Sequence, residues 1–300
     1  MPIIEIMLII KAGKNPDAAT FRAIDAFLFP FEKNCVSLID RLHRHDVPVF
    51  CILGAMREIL GVFTYSSGGQ ILHCVPCAVS RYDELLASLR IYFESFDLHS
   101  LFSIIGDEAG TNLFLSAIFL STRRLPAVNE SFFLMEHFPS KVSAGSGLKI
   151  PIVDSFGRQT VFAGSCPSSL LDALLIMQEA YEREEVLQDG QEFNPLLSKF
   201  VLKKGLSENR VYAAFFCDKI VAKSVINAEG RKFSLLGGVF TEPEFRRKGF
   251  AEFLIKRLCA EKARQGKIVV LFVKPKNVAA LTLYKRCGFC NFGKLKISYF

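Results

Sequence analysis

Two stretches near the C-terminal end of the sequence combine residue types that could bind an anion and transfer a proton. The first is Arg246-Arg247-Lys248-Gly249-Phe250-Ala251, with three cations ahead of a glycine. The second starts at Asn277, includes Tyr284 and ends at Gly288. A small residue lets a phosphate approach backbone N–H groups closely. A tyrosine hydroxyl can serve as a general acid. The first stretch therefore suggests an anion site.

The first stretch lies between a predicted strand and a predicted helix. Phe233 to Phe240 is apolar and aromatic enough for a buried strand, and Pro243 marks the turn that follows it. Apolar residues then recur at helical spacing up to Gly266. We expect the helix to begin near Arg246, with its unpaired N–H groups and positive dipole end facing outward. On residue types alone, the cations fit either this anion site or a solvated helix face.

The second stretch predicts a strand, a loop and a helix. Ile268 to Val273 is a short, β-branched apolar run, typical of a strand buried on both faces. Pro275 ends the run, and Asn277 is a good helix N-cap. Ala280 and Tyr284 then share one helix face. Taken alone, this pattern also fits a core aromatic at Tyr284 and an asparagine that only caps the helix.

Together the two stretches resemble the acetyl-CoA motifs of the GNAT superfamily of N-acetyltransferases, R/Q-x-x-G-x-G/A and N-x-x-A-x-x-L-Y-x-x-x-G-F. The resemblance implies acetyl-CoA as acyl donor and Tyr284 as the general acid for the departing thiolate. It also implies that a strand edge holds the pantetheine arm and polarises the thioester carbonyl. The implied cofactor-binding residues are Val239, Phe240, Thr241, Arg246, Arg247, Lys248, Gly249, Phe250, Ala251, Asn277, Ala280 and Tyr284.

The implied reaction is acetyl transfer to a primary amine by direct attack on the thioester. An amine of pKa about 10.4 is mostly protonated at neutral pH, so a proton acceptor is needed. All five histidines precede residue 150. We therefore expect a carboxylate such as Glu242, a tyrosine or a water relay to act as the base. The other candidates are Glu244, Tyr181, Glu182, Glu184 and Glu185.

The acceptor amine belongs to either a small molecule or a protein, and the sequence does not choose between them. A second hypothesis is a regulatory protein that binds acyl-CoA without useful catalysis. The missing histidine in residues 151–300 leaves room for that hypothesis.

The rest of the second half follows the same family order. A helix is predicted from Leu170 to Val186 after Pro167-Ser168-Ser169. A hairpin is predicted from Val211 to Phe216 and Ile220 to Ile226, around Cys217-Asp218-Lys219. The resemblance therefore covers about residues 165 to 300.

The first half repeats that order without the motifs. Two strands (58–65 and 70–75), a helix (82–96), a strand (101–105) and a helix to about residue 119 are predicted. The segment 77–82 contains no glycine where a phosphate would approach. We expect an α/β (α+β) protein with two GNAT-like mixed-sheet domains, a degenerate one at 1–145 and a complete one at 160–300. An unrelated α/β first domain is the alternative. Gly145-Ser146-Gly147 suggests a linker.

Composition and charge limit the location and the partners. No apolar run is long enough for a membrane span, and the N-terminus does not look like a secretory signal. Nine scattered cysteines suggest thiols in a reducing compartment, so we expect a cytoplasmic protein without membrane partners. Residues 151–300 carry a net charge of +9 and residues 1–150 a net charge of −2. A basic half suits CoA, and we expect no nucleic acid as the main partner since no such motif is present.

Two C-x-x-C pairs, Cys74–Cys77 and Cys287–Cys290, leave a four-thiolate zinc site or a redox pair as alternatives. The apolar surroundings of both pairs favour cysteine acting as a small hydrophobe, so we expect no metal. The oligomeric state stays open, and a monomer is plausible if the two domains pair internally.

Overall fold

The computed structural model describes residues 7–139, 161–187 and 192–300. It divides into two compact units. Unit 1 contains Met1–Leu134, Phe272–Lys276 and Asn291–Phe300, and unit 2 contains Met135–Leu271 and Asn277–Cys290. Unit 1 is therefore built from three segments of the chain and unit 2 from two, and the segments alternate along the sequence. The predicted boundary at residues 145–160, with its Gly145-Ser146-Gly147 linker, lies outside the described residues.

Unit 1 is a mixed sheet with two helices before its second strand and two after its fourth. Its strands and helices, in chain order, are β1 (Leu8–Gly13), α1 (Ala18–Leu28), α2 (Val36–Arg44), β2 (Val49–Leu53), β3 (Ile59–Tyr65), β4 (Gln70–Cys74), α3 (Tyr82–Ser95), β5 (Ser103–Asp107), α4 (Glu108–Thr122) and β6 (Val128–His137). Strands β1 to β4 pair antiparallel in sequence order, and β4 pairs parallel with β5. The last residues of β6 belong to unit 2.

Unit 2 repeats this plan. Its elements are β7 (Val161–Ser165), α5 (Leu171–Tyr181), α6 (Pro195–Ser207), β8 (Val211–Phe216), β9 (Lys219–Glu229), β10 (Phe233–Thr241), α7 (Phe250–Arg264), β11 (Ile268–Val273), α8 (Val278–Arg286) and the start of β12 (Phe289–Tyr299). The end of β11, from Phe272, and β12 from Asn291 onward belong to unit 1. Strands β7 to β10 pair antiparallel, and β10 pairs parallel with β11. Two helices precede the second strand, one joins the parallel pair and one follows it, as in unit 1.

Apolar side chains from sheet and helices hold each unit together. In unit 1, Phe50, Phe63 and Phe114 pack with the helices α3 and α4, and the rings of Phe50 and Phe63 stack with centroids 4.8 Å apart. In unit 2, Leu174 of α5 and Leu202 of α6 pack against the sheet. This packing holds α5 and α6 against strands β8 and β9.

The final strand links the chain's end to the first unit. Residues Leu295–Tyr299 of β12 pair antiparallel with Asp107–Ser103 of β5, within unit 1. Local sequence carries no sign of such a pairing, because the two partners are far apart along the chain.

The predicted helix after the first motif begins later than expected. Helix α7 starts at Phe250, with Gly249 as its N-cap, and not near Arg246. The reason is backbone conformation: Arg247 has φ 64° and Gly249 has φ 94°, which interrupts helical geometry. The predicted helix 170–186 is also more complex. It starts as a 3₁₀ turn at Ser168–Leu170 and ends as a π-helical turn at Glu182–Val186.

Candidate functional site

A gap between two parallel strands forms the centre of the candidate site in unit 2. Strand β10 pairs with β11 from Phe233 to Leu236, and the register stops at the Leu236–Leu271 pair. Beyond that pair, the residues Gly237 to Thr241 have no partner in the register with β11, so their backbone groups on that side of β10 form an open strand edge. A strand edge of this kind can hold an extended amide-containing chain by main-chain hydrogen bonds. The residues Val239, Phe240 and Thr241 lie on this edge.

A bulge changes the direction of β10 at the same point. Its register to β9 passes from Gly237–Val225 to Phe240–Lys223, so Gly238 and Val239 fall between paired positions. Gly238 has φ +57°, a conformation that glycine adopts without steric cost. An added Cβ at Gly238 would meet the Val225 side chain at 3.2 Å. The backbone conformation therefore favours glycine here, and an added Cβ would also press on the Val225 side chain.

The segment Arg246–Ala251, called the anion loop from here on, connects β10 to α7. Arg247 and Gly249 both adopt positive φ, and Gly249 offers no side chain to cap the helix. The first N–H groups of any helix lack partners within the helix, and in α7 no side chain caps them. Backbone conformations that alternate in this way make concave anion sites. Arg246, Arg247 and Lys248 are exposed around the loop.

Phe250 of the anion loop points inward. It is buried and packs against the rings of Phe216 and Phe245, with centroids 5.8 and 5.7 Å away. Its side chain therefore anchors the start of α7, and only its backbone is free to meet a ligand. Ala251, next along the helix, is half-buried.

The second motif folds as the sequence predicts. Asn277 caps α8 through its side-chain oxygen, which accepts the Ala280 N–H at 3.0 Å. Its amide nitrogen Nδ2 faces the Glu185 carboxylate at 3.4 and 3.5 Å. Gly288, with φ 91°, ends the helix by donating its N–H to Lys285. Asn277 and Ala280 thus have structural roles in addition to the predicted contacts with the cofactor.

Tyr284 lies on the buried side of α8. Burial raises the pKa of its hydroxyl well above the usual range, and the charges of Tyr181, Cys287 and Glu185 add to that effect. Its ring packs at 5.9 Å from that of Phe289. A tyrosine in this state stays protonated throughout the neutral range and is available as a proton donor.

The π-helical turn Glu182–Val186, called the acidic turn from here on, contacts both motifs. Glu184 accepts from Arg246 at 2.6 Å, and Glu185 faces Asn277. Glu182 accepts from Ser198 of α6 at 2.7 Å, which ties the turn to the neighbouring helix. Single π-turns inside helices are frequent at functional sites. All three of these glutamates were candidates for the general base.

A buried lysine completes the cluster. Lys223 of β9 is fully buried, and its Nζ donates to the Gly238 carbonyl at 3.1 Å. The same nitrogen lies 4.4 Å from the ring centroid of Tyr181. Burial lowers the pKa of Lys223 from 10.5 to about 7, and the charge of Glu182 partly opposes this. Burial likewise raises the pKa of Tyr181 to about 12.

The structure thus gathers the predicted residues at one end of the unit 2 sheet. Glu242 directly follows β10, where its N–H donates to Val221 at 3.0 Å and its side chain is half-buried. The sequence analysis did not include Lys223 among the candidate residues. The sequence did point to it, since a lysine inside the apolar run Ile220 to Ile226 must either lie on the solvent face of the strand or be buried with polar partners.

The equivalent connection in unit 1 differs. Between β4 and α3 the chain runs through Val75 to Arg81 without a glycine, and Arg81 makes no side-chain cap. Across the described parts of both units, no group of three His, Cys, Asp or Glu residues is placed to hold a metal ion. The nine cysteines, all within those parts, are unpaired.

Comparison with known proteins places this geometry in a known fold. The family model described as FR47-like protein matches residues 216–295, which is less than half of the chain. The chain is also similar in structure to a GNAT-family acetyltransferase from Colwellia psychrerythraea, at 12% identity, with 98% of this chain and 99% of that chain covered and a TM-score of 0.58. The chain has the GNAT fold.

Two further solved structures show that this similarity covers both halves. A Drosophila protein shares 12% identity over 99% of both chains, with a TM-score of 0.65. A tandem GNAT protein from the clavulanic acid biosynthesis pathway shares 8% identity over 98% of both chains, with a TM-score of 0.57. The predicted GNAT-like fold of the first half is therefore confirmed, along with that of the second. None of the curated proteins compared has a similar sequence.

Along the described residues, no helix is both long and apolar enough to cross a bilayer.

Proposed function

We propose that unit 2 transfers an acetyl group from acetyl-CoA to a primary amine by direct attack on the thioester. The observation that carries the proposal is the convergence of three features: the open edge of β10, the anion loop and the buried Tyr284. Each corresponds to one part of the donor: the pantetheine arm, the pyrophosphate and the sulfur. Unit 1, without an anion loop, has a structural role in this proposal.

Different groups of the chain have different roles in the proposed reaction. Backbone N–H groups at the anion loop bind the pyrophosphate, with Arg246, Arg247 and Lys248 adding charge. The Val239–Thr241 edge orients the pantetheine amides and polarises the thioester carbonyl. Tyr284 protonates the departing sulfur, and Glu242 or a residue of the acidic turn accepts the proton of the amine. We place the protein in a reducing compartment such as the cytoplasm because its thiols are unpaired.

Free-thiol release from acetyl-CoA with a panel of primary amines tests the proposal. We expect thiol release that depends on the amine, with the acetylated amine found by mass spectrometry. A protein-only control is needed because Cys217 is exposed and reacts with thiol reagents. Binding of CoA without any amine-dependent thiol would favour the regulatory hypothesis. Absence of CoA binding would contradict both.

A further inference from the structure

The contact between Lys223 and the bulge has a consequence for the proposed reaction. The Lys223 Nζ donates to the carbonyl oxygen of Gly238. That carbonyl belongs to the same planar peptide group as the N–H of Val239. In a trans peptide the two groups point in opposite directions, and no peptide bond among the described residues is cis. The Val239 N–H therefore points away from Lys223.

The Val239 N–H lies where a ligand could use it. Within the described strands, the register of β10 to β9 skips Gly238 and Val239, and the register to β11 has already ended at Leu236. Val239 therefore has no paired residue in either register. The residue is also only half-buried. A thioester held along this edge would find the Val239 N–H available as a donor.

We propose that Lys223 is a positioning residue that polarises the Gly238–Val239 peptide and so strengthens the Val239 N–H as a donor to the thioester oxygen. A cation on the carbonyl of an amide draws electron density from its nitrogen, and chains of hydrogen bonds reinforce one another in a protein interior. The developing negative charge on the thioester oxygen during attack is then stabilised more than the ground state. This inference rests on the proposed function.

The surroundings of Lys223 fit an electrostatic role. Tyr181 on α5 presents its ring to the ammonium group, and Glu182 on the acidic turn supplies the neighbouring negative charge. Tyr181 is in turn influenced by Glu185 and by a hydrogen bond from the Gly238 backbone. Both polar groups of Gly238 thus interact with side chains of this cluster. The pKa of about 7 means that the charge on Lys223 changes near neutral pH.

Isotope-edited infrared spectroscopy of bound acetyl-CoA tests the inference without turnover. With the carbonyl carbon labelled, we expect a downshifted thioester stretch in the wild type that weakens between about pH 6 and about pH 8 as Lys223 loses its proton. Lys223→Met should abolish the extra shift. Lys223→Gln, which keeps a neutral donor, should retain part of it and covers the case in which the methionine variant does not fold.

Lys262→Met is the matched control, because Lys262 is also a buried lysine of unit 2 but pairs with Glu229 at 2.6 Å instead of contacting the bulge. It should leave the carbonyl frequency unchanged. In turnover, Lys223→Met should lower kcat about tenfold with little change in the KM for acetyl-CoA.

Three outcomes would overturn the inference. One is an unchanged carbonyl frequency in both Lys223 variants while acetyl-CoA still binds, which leaves the proposed function intact. Another is a wild-type kcat that rises through about pH 7 and loses this rise in Lys223→Met, since Lys223 would then be the proton acceptor. A wild type that does not bind acetyl-CoA at all would refute both the inference and the proposed function.

Discussion

Arg246 shares its guanidinium between the carboxylate of Glu184 at 2.6 Å and the carbonyl of Thr241 at 3.0 Å. The first cation of the anion loop is therefore held by the acidic turn and by the end of β10 at once. Both side chains of the ion pair are partly exposed, at 39% and 45%, so the pair contributes little to stability. Under the proposed function the pair matters through competition, because a phosphate bound at the loop would use the same guanidinium.

Glu184→Gln should therefore tighten CoA binding. Removing the competing carboxylate frees Arg246 for phosphate, and an exposed pair of this kind corresponds to about a threefold change in Kd. Calorimetric titration with CoA at low and high salt measures the effect. The gain should shrink at high salt, where surface charges are screened.

The matched control for this change is Glu179→Gln, which removes the same charge from α5, where Glu179 pairs with Arg183 at 2.8 Å. It should leave CoA affinity unchanged. If Glu184→Gln instead weakened binding, the carboxylate would be orienting Arg246 toward the phosphate, and the competition argument would be wrong.

Gly249→Ala and Gly266→Ala compare the two ends of α7. Both glycines have positive φ, 94° and 73°, so each alanine should cost about 1–2 kcal/mol in free energy of unfolding. The Gly266 site is open, with no atom within 4 Å of an added Cβ. Only Gly249→Ala should weaken CoA binding, by at least about tenfold, because it disturbs the N–H groups that we propose bind the pyrophosphate.

Denaturant unfolding and CoA titration measure the two effects separately. Equal CoA affinity in the two variants, with equal losses of stability, would rule out the anion loop as the pyrophosphate site.

The sequence predicted those elements whose signals are local. The hairpin of β8 and β9, the strand β11 and the cap at Asn277 follow from periodicity and from capping chemistry. Helix α6 was missed even though Asn194 and Pro195 mark its start. Its exposed apolar residues Leu196, Leu197 and Phe200 obscure the buried stripe that contains Leu202 and Leu206.

Features that depend on distant contacts could not be predicted in this way. Strand β12 pairs with β5 although the two strands are far apart in the sequence, and no local pattern encodes such a pairing. The role of Lys223 depends on the bulge at Gly238, which is set by the register between β9 and β10. The contacts of the acidic turn with Arg246 and Asn277 likewise form only when the end of α5 packs next to both motifs. The sequence suggested the candidate groups, and tertiary packing decides which of them meet.

Tyr284→Phe should slow turnover without changing CoA affinity. The raised pKa keeps the hydroxyl protonated, so its loss removes the proton donor for the thiolate and should lower kcat about a hundredfold. Tyr212→Phe is the control, since it removes another buried hydroxyl of unit 2, one that donates to Glu261 at 3.0 Å. Steady-state kinetics with CoA titration test both. Unchanged turnover in Tyr284→Phe would exclude Tyr284 from the mechanism.

The stability of the protein should depend on pH through Lys223. The pKa of Lys223 is about 7 in the folded protein, and we take the ordinary lysine value of 10.5 for the unfolded chain. Between these values the unfolded chain binds a proton that the folded chain does not, so this group makes stability rise with pH. The slope is about 1.4 kcal/mol per pH unit within that window, and below about pH 7 the full cost of burying the charge remains.

Lys223→Met isolates this contribution. Buried thiols such as Cys259 and Cys287 have raised pKa values and act in the opposite direction at high pH, but they are common to both proteins and cancel in the difference. Urea unfolding of wild type and variant from about pH 6 to about pH 10 gives that difference. We expect the variant's stability relative to wild type to be highest near pH 6 and to fall as pH rises. A difference that stays constant would mean that Lys223 keeps its proton in the folded protein, because a group with one protonation state throughout adds no slope.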